Sequence, residues 1–401
     1  MYLMVNDVNR IKLPSFALPA DAHNKGNYAL SLGNLCRWLG EQAESLGVNI
    51  FPGFAASEIL YDKDGAVRGI ATGDMGIGLD GEKKGSFTPG YELLAKYTIF
   101  AEGCRGHLGK QVIRNFDLDV NSGTQHYAIG FKELWSIPPE KHQKGKVLHS
   151  IGWPLGFTPS ATGGSYLYHL PDNQVALGLI VDLSYKNPHL SPYDEMQRWK
   201  HHPLISEVLE GGERISYGAR ALVKGGLQAL TVNAFAGGVI VGDDSGFLNP
   251  LKIKGSHTAM KSGMLGAEAV FEELALGNSA TTPSSFEEKF KSSWLFDELH
   301  RARNFGPIAH KLGILFGGIY SSLERFIRPI ARWTFKDPIP DYATLQEASK
   351  TEKIKYPKPD GVISFDKLSS VFLSNTYHEE DQPCHLKLQD PSIPISANLP
   401  K

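Results

Sequence analysis

The sequence predicts an α/β protein carrying an inserted antiparallel sheet, and three stretches support that prediction. Val239-Ile240-Val241 is a β-branched run that ends at Gly242-Asp243, passes a loop with Gly246, Asn249 and Pro250, and continues as a helix-spaced stretch from Gly255 to Ala275. That is the order of a buried strand, a tight turn and a helix. Tyr97-Thr98-Ile99-Phe100-Ala101 ends likewise in Glu102-Gly103. Between about 121 and 220 the texture changes to loosely alternating runs parted by Pro and Gly, the pattern of antiparallel strands.

The 401 residues suffice for two or three domains. With 41 basic and 43 acidic side chains, charge gives no case for a nucleic-acid partner. Cys36, Cys104 and Cys384 are far apart, so neither a disulfide framework nor a complete metal site is expected. No apolar run reaches the ~18 residues of a spanning helix, and Met1-Tyr2-Leu3-Met4 runs at once into polar residues, which predicts no targeting segment.

Taken in order, the first sixty residues hold no GxGxxG turn. A helix is expected through Leu32, Leu35, Cys36, Leu39 and Ala43, closed by Gly47. Val48 to Phe51 reads as a strand entering the core, and residues 58–73 as a hairpin around Lys63-Asp64-Gly65. Residues 80–90 read as a polar insert, and Cys104 and His107 as parts of a surface loop. Strands follow at 127–134, 165–170 and 174–179. Gly163-Gly164 admits two readings, a bulge or a place where a flat ligand nears the backbone. Pro192 to Ile205 reads as one amphipathic helix; His201 and His202, adjacent on it, cannot aim at one ion. Residues 286–303 form an amphipathic stretch through Phe286, Phe290, Trp294, Leu295 and Leu299. The apolar segment at 312–329 is a packing helix or an interfacial seat. From 336 the chain is Pro-rich and polar and is expected to wrap a surface.

The free N–H groups at Gly255-Ser256-His257-Thr258 form a positive helix end that suits an anionic or electron-rich ligand, though a plain α/β crossover gives the same pattern.

Longer strings decide more. GEQAESLGVNIFPGFAASEIL (40–60), TIFAEGCRGHLGKQ (98–111), GGSYLYHL (163–170), QRWKHHP (197–203), EGGERISYGARAL (210–222), GFLNPLKIKGSHTAMKSG (246–263), YPKPDGVISFDKLSSV (356–371) and HLKLQDPSIP (385–394) occur in that order. On these residues the chain resembles the electron-transfer-flavoprotein:ubiquinone oxidoreductase family. The resemblance implies a glutathione-reductase-like FAD-binding domain in two parts, 1–125 and 223–335, the second with membrane-surface helices. It also implies a ubiquinone-binding antiparallel-sheet domain at 126–222 and, at 336–401, the start of a ferredoxin-like [4Fe-4S] domain. The implied activity passes electrons from reduced electron-transfer flavoprotein through cluster and FAD to ubiquinone. The enzyme would be monotopic, on the bacterial cytoplasmic membrane or the matrix face of the mitochondrial inner membrane.

Carried over by position, the FAD contacts are Glu102, Gly103, Gly242, Asp243, Gly246, Gly255, Ser256, His257 and Thr258, and the quinone pair is Gly163 and Gly164. The glycine-rich FAD fingerprint and the four cluster cysteines are expected outside this sequence, and Cys384 is not expected to be a ligand. Thr162 stands where relatives carry an aromatic, and Asn249-Pro250-Leu251-Lys252 departs from Asn-Val-Pro-Lys. Two alternatives stay open: another FAD-dependent reductase or hydroxylase on this scaffold, and a non-catalytic membrane-surface protein. A flavin spectrum separates the last from the others.

Overall fold

A computed structural model describes residues 1–401 except 15, 17, 19–22, 24, 25, 253, 328–332, 386, 387, 389, 391 and 393–401. Near its start β1 (Tyr2–Met4) and β2 (Arg10–Lys12) form a short antiparallel pair. Ser31 caps α1 (Leu32–Ser45) by accepting from the Asn34 N–H at 3.4 Å, and Gly47 (φ 87°) follows its end. α1 buries none of its residues. The strand expected at 48–51 does not form: Val48, Ile50 and Phe51 are exposed, with no neighbouring strand among the described residues to take their hydrogen bonds. The hairpin at β3 (Ala56–Tyr61) and β4 (Val67–Thr72) is present, its turn tied by the Asp62 carboxylate, which accepts from the Asp64 and Ala66 N–H groups.

The polar insert is itself a hairpin, β5 (Met75–Ile77) with β6 (Lys83–Thr88). Both faces of it meet solvent, so no apolar alternation marks it. Next come β7 (Glu92–Leu94), added to β4, then β8 (Thr98–Phe100) and α2 (Gly109–Asn115).

The large sheet contains β9 (Tyr127–Ser136), β10 (Val147–Gly152), β11 (Gly163–His169), β12 (Gln174–Asp182) and β13 (Glu213–Val223). Its order is β13-β9-β12-β11-β10-β1-β2, antiparallel except for the parallel pair β1–β10. Residues 2–12 therefore lie with this sheet and not with α1 and β8. One face packs on α3 (Pro192–Lys200) and α4 (Pro203–Leu209), where Trp135, Leu177 and Leu179 meet Met196, Trp199 and Ile205. The single helix expected at 192–205 breaks before Pro203, whose ring cannot continue it. His202 instead caps α4, its Nδ1 accepting from the Leu204 N–H at 3.0 Å. Within this core Glu133 meets the Lys200 amine at 2.9 Å and the Arg214 guanidinium at 3.2 Å.

The chain then returns through β14 (Ala234–Phe235) and β15 (Gly238–Ile240) to a three-stranded sheet of order β14-β15-β8, with β15 and β8 parallel. α5 (Ser256–Ala275) packs on β15. Its buried apolar positions are Leu265, Ala269 and Val270, while Met260, Met264 and Phe271 face out. Gly266 permits the approach; a Cβ there would lie 3.1 Å from Val241 and 3.3 Å from Val239.

The stretch 286–303 is two helices, α6 (Ser285–Lys291) and α7 (Trp294–Ala302), with Phe286, Phe290, Leu295 and Leu299 buried against α5. After α8 (Phe305–Leu312), α9 (Ile314–Ile327) differs: Phe316, Ile319, Leu323 and Phe326 are all exposed. Among the described residues no helix is long and apolar enough to cross a membrane. The segment from 336, ending its regular structure in α10 (Lys367–Phe372), is tied to the large sheet's helices. The Phe365 N–H donates to Gln197 at 2.9 Å, and the Tyr193 hydroxyl donates to the Phe365 carbonyl at 2.7 Å.

Candidate functional site

Parallel pairing brings the ends of β8 and β15 level, so their two acid–glycine turns lie side by side. The Glu102 N–H donates to Asp244 at 3.2 Å. In front of them opens a cavity of about 350 Å³. Ala101, Gly103 and Cys104 line it from one turn, Val241, Gly242 and Asp243 from the other, Ala259 and Gly263 from α5, and Arg220, Ala221 and Leu222 from β13. Gly103 (φ 83°) and Gly242 (φ 63°) hold left-handed conformations, which a β-carbon would strain. A Cβ on Gly242 would meet only Ala259, at 3.5 Å; backbone conformation, not crowding, sets that glycine.

The two aspartates of the second turn do different work. Asp244 is buried between the turns, and a Cβ on Gly109 would lie 2.2 Å from its Oδ1. Asp243 faces the cavity, and its carboxylate accepts no hydrogen bond among the described residues. Burial pushes its acid up to about 6, against the pull of the Arg220 charge. Its Oδ1 lies where a Cβ on Gly255 would come within 2.9 Å, so the carboxylate rests against the start of α5, where the dipole is positive.

The other expected contacts divide. Glu102 spends its side chain locally, accepting from the Gly109 N–H at 2.6 Å and meeting His107 at 3.3 Å. Gly246 sits behind the cavity, where a Cβ would lie 2.6 Å from Gln125. His257 turns away, stacked on Trp294 with ring centroids 6.0 Å apart and bonded to Glu298 at 2.7 Å. Burial pushes the Glu298 acid up, yet His257, Lys252 and Asn249 together hold it at about 2. Thr258 is buried and its hydroxyl donates to the Phe247 carbonyl at 2.8 Å. Gly255 and Ser256 stay at the open helix end, where no side chain caps the first-turn N–H groups.

Cys104, read from sequence as part of a surface loop, is half-buried in the cavity wall. Burial pushes its thiol up to about 11, the Asp243 charge adding to the effect. Its place directly after the Glu102-Gly103 turn is the signal for this. Arg220 was missed altogether, because β13 was not recognised as a strand.

Gly163 and Gly164 open β11. The Thr162 carbonyl accepts from the Asp182 N–H on the β12 side. Successive residues of a strand turn their N–H and C=O groups to opposite sides, so those of Gly163 face β10. Pairing with β10 ends at Ser150–Ser165, short of Gly163. A Cβ on Gly163 would lie 2.1 Å from the Ile180 carbonyl oxygen, whereas one on Gly164 would meet only the Ser150 oxygen at 3.4 Å and Ile151 at 3.7 Å. Ile151 in turn packs on Phe305, Ala309 and Ile314 at the start of α9. Thr162 donates to the buried Asp182 at 2.5 Å, and Lys224 meets that carboxylate at 2.6 Å.

Residues 127–222 match the family described as "ETF-QO, ubiquinone-binding", and residues 361–401 the one described as "Electron transfer flavoprotein-ubiquinone oxidoreductase, 4Fe-4S". A Pseudomonas aeruginosa protein named electron transfer flavoprotein-ubiquinone oxidoreductase is 57% identical over all of this chain and 73% of its own length. The chain belongs to the electron transfer flavoprotein-ubiquinone oxidoreductase family. Within that family, an Acinetobacter baylyi protein with the same name prefixed "probable" is 56% identical, again over 73% of its length. The mitochondrial protein of Mus musculus is 50% identical over 99% of this chain and 66% of its own length. Among solved structures, the flavin-dependent halogenase CmlS shares 15% identity, covering 76% of this chain and 51% of that one, with a TM-score of 0.49.

Proposed function

We propose that the chain serves as an oxidoreductase that takes electrons from reduced electron transfer flavoprotein and delivers them to ubiquinone at a membrane surface. The observation that carries this reading is the cavity where both acid–glycine turns and the start of α5 meet β13, a strand of the ubiquinone-binding sheet.

The cavity residues fit FAD. Asp243 is a half-buried acceptor with no donor, suited to ligand hydroxyls. The uncapped start of α5 donates toward negative charge, and the two left-handed glycines let a ligand approach the backbone. Bound there, FAD would supply the electron-carrying ring; Asp243 and the helix end would hold and orient it. The cysteines present do not fit a [4Fe-4S] cluster, which takes four thiolates: Cys36 and Cys384 are exposed and Cys104 lines the cavity.

The Gly163 N–H, left beyond the end of the β10 ladder, would donate to a quinone carbonyl. A valine at Gly164 has room against the sheet but would crowd that position. We expect Gly164→Val to lower kcat/KM for a soluble ubiquinone analogue by about 10- to 200-fold, the range of one misplaced apolar group in a pocket, with flavin content unchanged. Equal quinone kinetics in the two proteins would reject the assignment.

Gly255→Ala would push Asp243 off the helix start, since its Cβ would come within 2.9 Å of Oδ1. Displacing the carboxylate by overpacking of this kind costs about 1–3 kcal/mol, so flavin dissociation constants should rise roughly 5- to 150-fold; titration followed by flavin fluorescence measures it.

The exposed apolar row of α9 would rest on the bilayer, close to the glycine pair through Ile151. Phe316→Glu with Leu323→Glu should abolish co-sedimentation with phospholipid vesicles while leaving the circular dichroism spectrum intact. Persistent binding would remove α9 from the membrane contact. The higher identity to the bacterial than to the mouse protein favours the bacterial cytoplasmic membrane.

A further inference from the structure

Sequence reading finds no metal ligands, yet folding gathers His126, His310 and Asp337 so that one ligand atom from each lies within 4.8 Å of the others. His126 immediately precedes β9, His310 is on α8, and Asp337 follows α9. Asp337 Oδ2 is 3.3 Å from His126 Nε2 and 2.7 Å from His310 Nδ1.

We propose that these three side chains form a divalent-cation site suited to Zn²⁺. An ion bound tetrahedrally at about 2.0–2.2 Å holds its ligands roughly 3.3–3.5 Å apart. The His126–Asp337 separation already matches, and the His310–Asp337 hydrogen bond has to open by about 0.6 Å to the same geometry.

A second observation is independent of this spacing. His126 is 6% exposed, and its buried Nε2, aimed at the cluster, has only the 3.3 Å ion-pair contact with Asp337 and makes no hydrogen bond. A buried polar atom left so is unfavourable unless something binds it. The other ring nitrogen is fixed: Nδ1 bonds Asp341 Oδ1 at 2.8 Å, and Asp341 Oδ2 accepts from the Tyr127 N–H at 2.7 Å. A carboxylate that orients a histidine through its far nitrogen is the usual support of a metal-bound imidazole. Charge points the same way. Asp337 and Asp341 bring two carboxylates into a mostly buried site where their ionic partners are His126 and His310, and the nearby Lys224 is already engaged by Asp182. A divalent ion neutralises the pair. It would also pin the segment after α9 to the end of the large sheet where β9 begins, and three protein ligands leave a fourth position for water.

The test uses the full chain, stripped with a chelator, loaded with one equivalent of Zn²⁺ and passed over a desalting column before metal analysis. We expect about one zinc retained per chain, a thermal midpoint raised by several degrees, and retention lowered at least tenfold in Asp337→Asn and His310→Gln. His107→Gln, a surface histidine, should retain the metal. Because either ligand variant could fold poorly, Co²⁺ in the unaltered chain gives a second readout: visible bands of a four-coordinate nitrogen–oxygen site. No zinc retained, retention unaffected in both ligand variants, or octahedral Co²⁺ spectra in the unaltered chain would each overturn the proposal.

Discussion

Glu133→Ala should destabilise the protein by about 3–5 kcal/mol, the cost of stranding buried charge by deleting one partner. Glu133, Lys200 and Arg214 are all buried, and the glutamate accepts from both cations and from the Trp135 indole at 2.8 Å. Removing it leaves two cations facing each other and Phe365, over whose ring the Arg214 guanidinium lies at 3.8 Å. Burial pushes the Lys200 amine down to about 8, against the pull of Glu133. A lowered amine favours the folded state above its unfolded value of 10.5 and loses that contribution as pH falls through about 8. Without Glu133 the amine is lowered further, so the variant's deficit should be full in acid, shrink as pH rises toward about 8 and stay level above it, where Lys200 is neutral in both folded proteins. Replacing all three residues with apolar ones of similar volume should cost less than the single change. Denaturant unfolding at several pH values measures each; a deficit under 1 kcal/mol at pH 7 would show the cluster to be loosely held.

Asp243→Asn is expected to separate stability from binding. The acid's folded-state value of about 6 exceeds its ordinary 3.8, so the stability it contributes is full below pH ~4 and lost as pH rises through 6. At pH 7.5 the ligand-free protein holds a half-buried, unbonded carboxylate. Asparagine removes it and should stabilise that form by about 1–2 kcal/mol, less than the full shift because the cavity admits water. If the carboxylate receives flavin hydroxyls, the same change should weaken flavin by about 1.5–3 kcal/mol, or roughly 10- to 150-fold. Thermal denaturation with and without flavin gives both signs. Flavin affinity equal to that of the unaltered chain would remove Asp243 from the site.

Local pattern carried the strand–turn–helix at 238–275, the hairpin at 56–72 and strands β9, β11 and β12. It failed where the outcome depends on distant partners. Val48 to Phe51 has strand composition but no ladder to join among the described residues. Phe286 and Leu299 are buried while Phe316 and Leu323 are exposed, although both stretches look amphipathic; what packs against each decides. In the site, Gly103, Gly242 and Asp243, which line the cavity, were legible because turns need those residue types in order, whereas Gly246 lies outside it. His257 was not, because only the fold puts Glu298 and Trp294 beside it. Likewise His126 and His310 are 184 residues apart, and nothing local couples them.

The parallel pairing of Tyr2–Met4 with Ser150–Gly152 bears on how the chain reaches this state. Its partners are separated by roughly 150 residues of chain, and closing so long a loop loses entropy before any ladder forms. The hairpins β3–β4 and β11–β12 need only short loops and can form early. β1 can dock only after β10 and β11 exist to receive it. Until then Leu3 and Met4 remain apolar and uncovered beside an open sheet edge, the kind of surface that draws one folding chain to another. Concentration during refolding should therefore matter more for this protein than its near-neutral charge alone suggests.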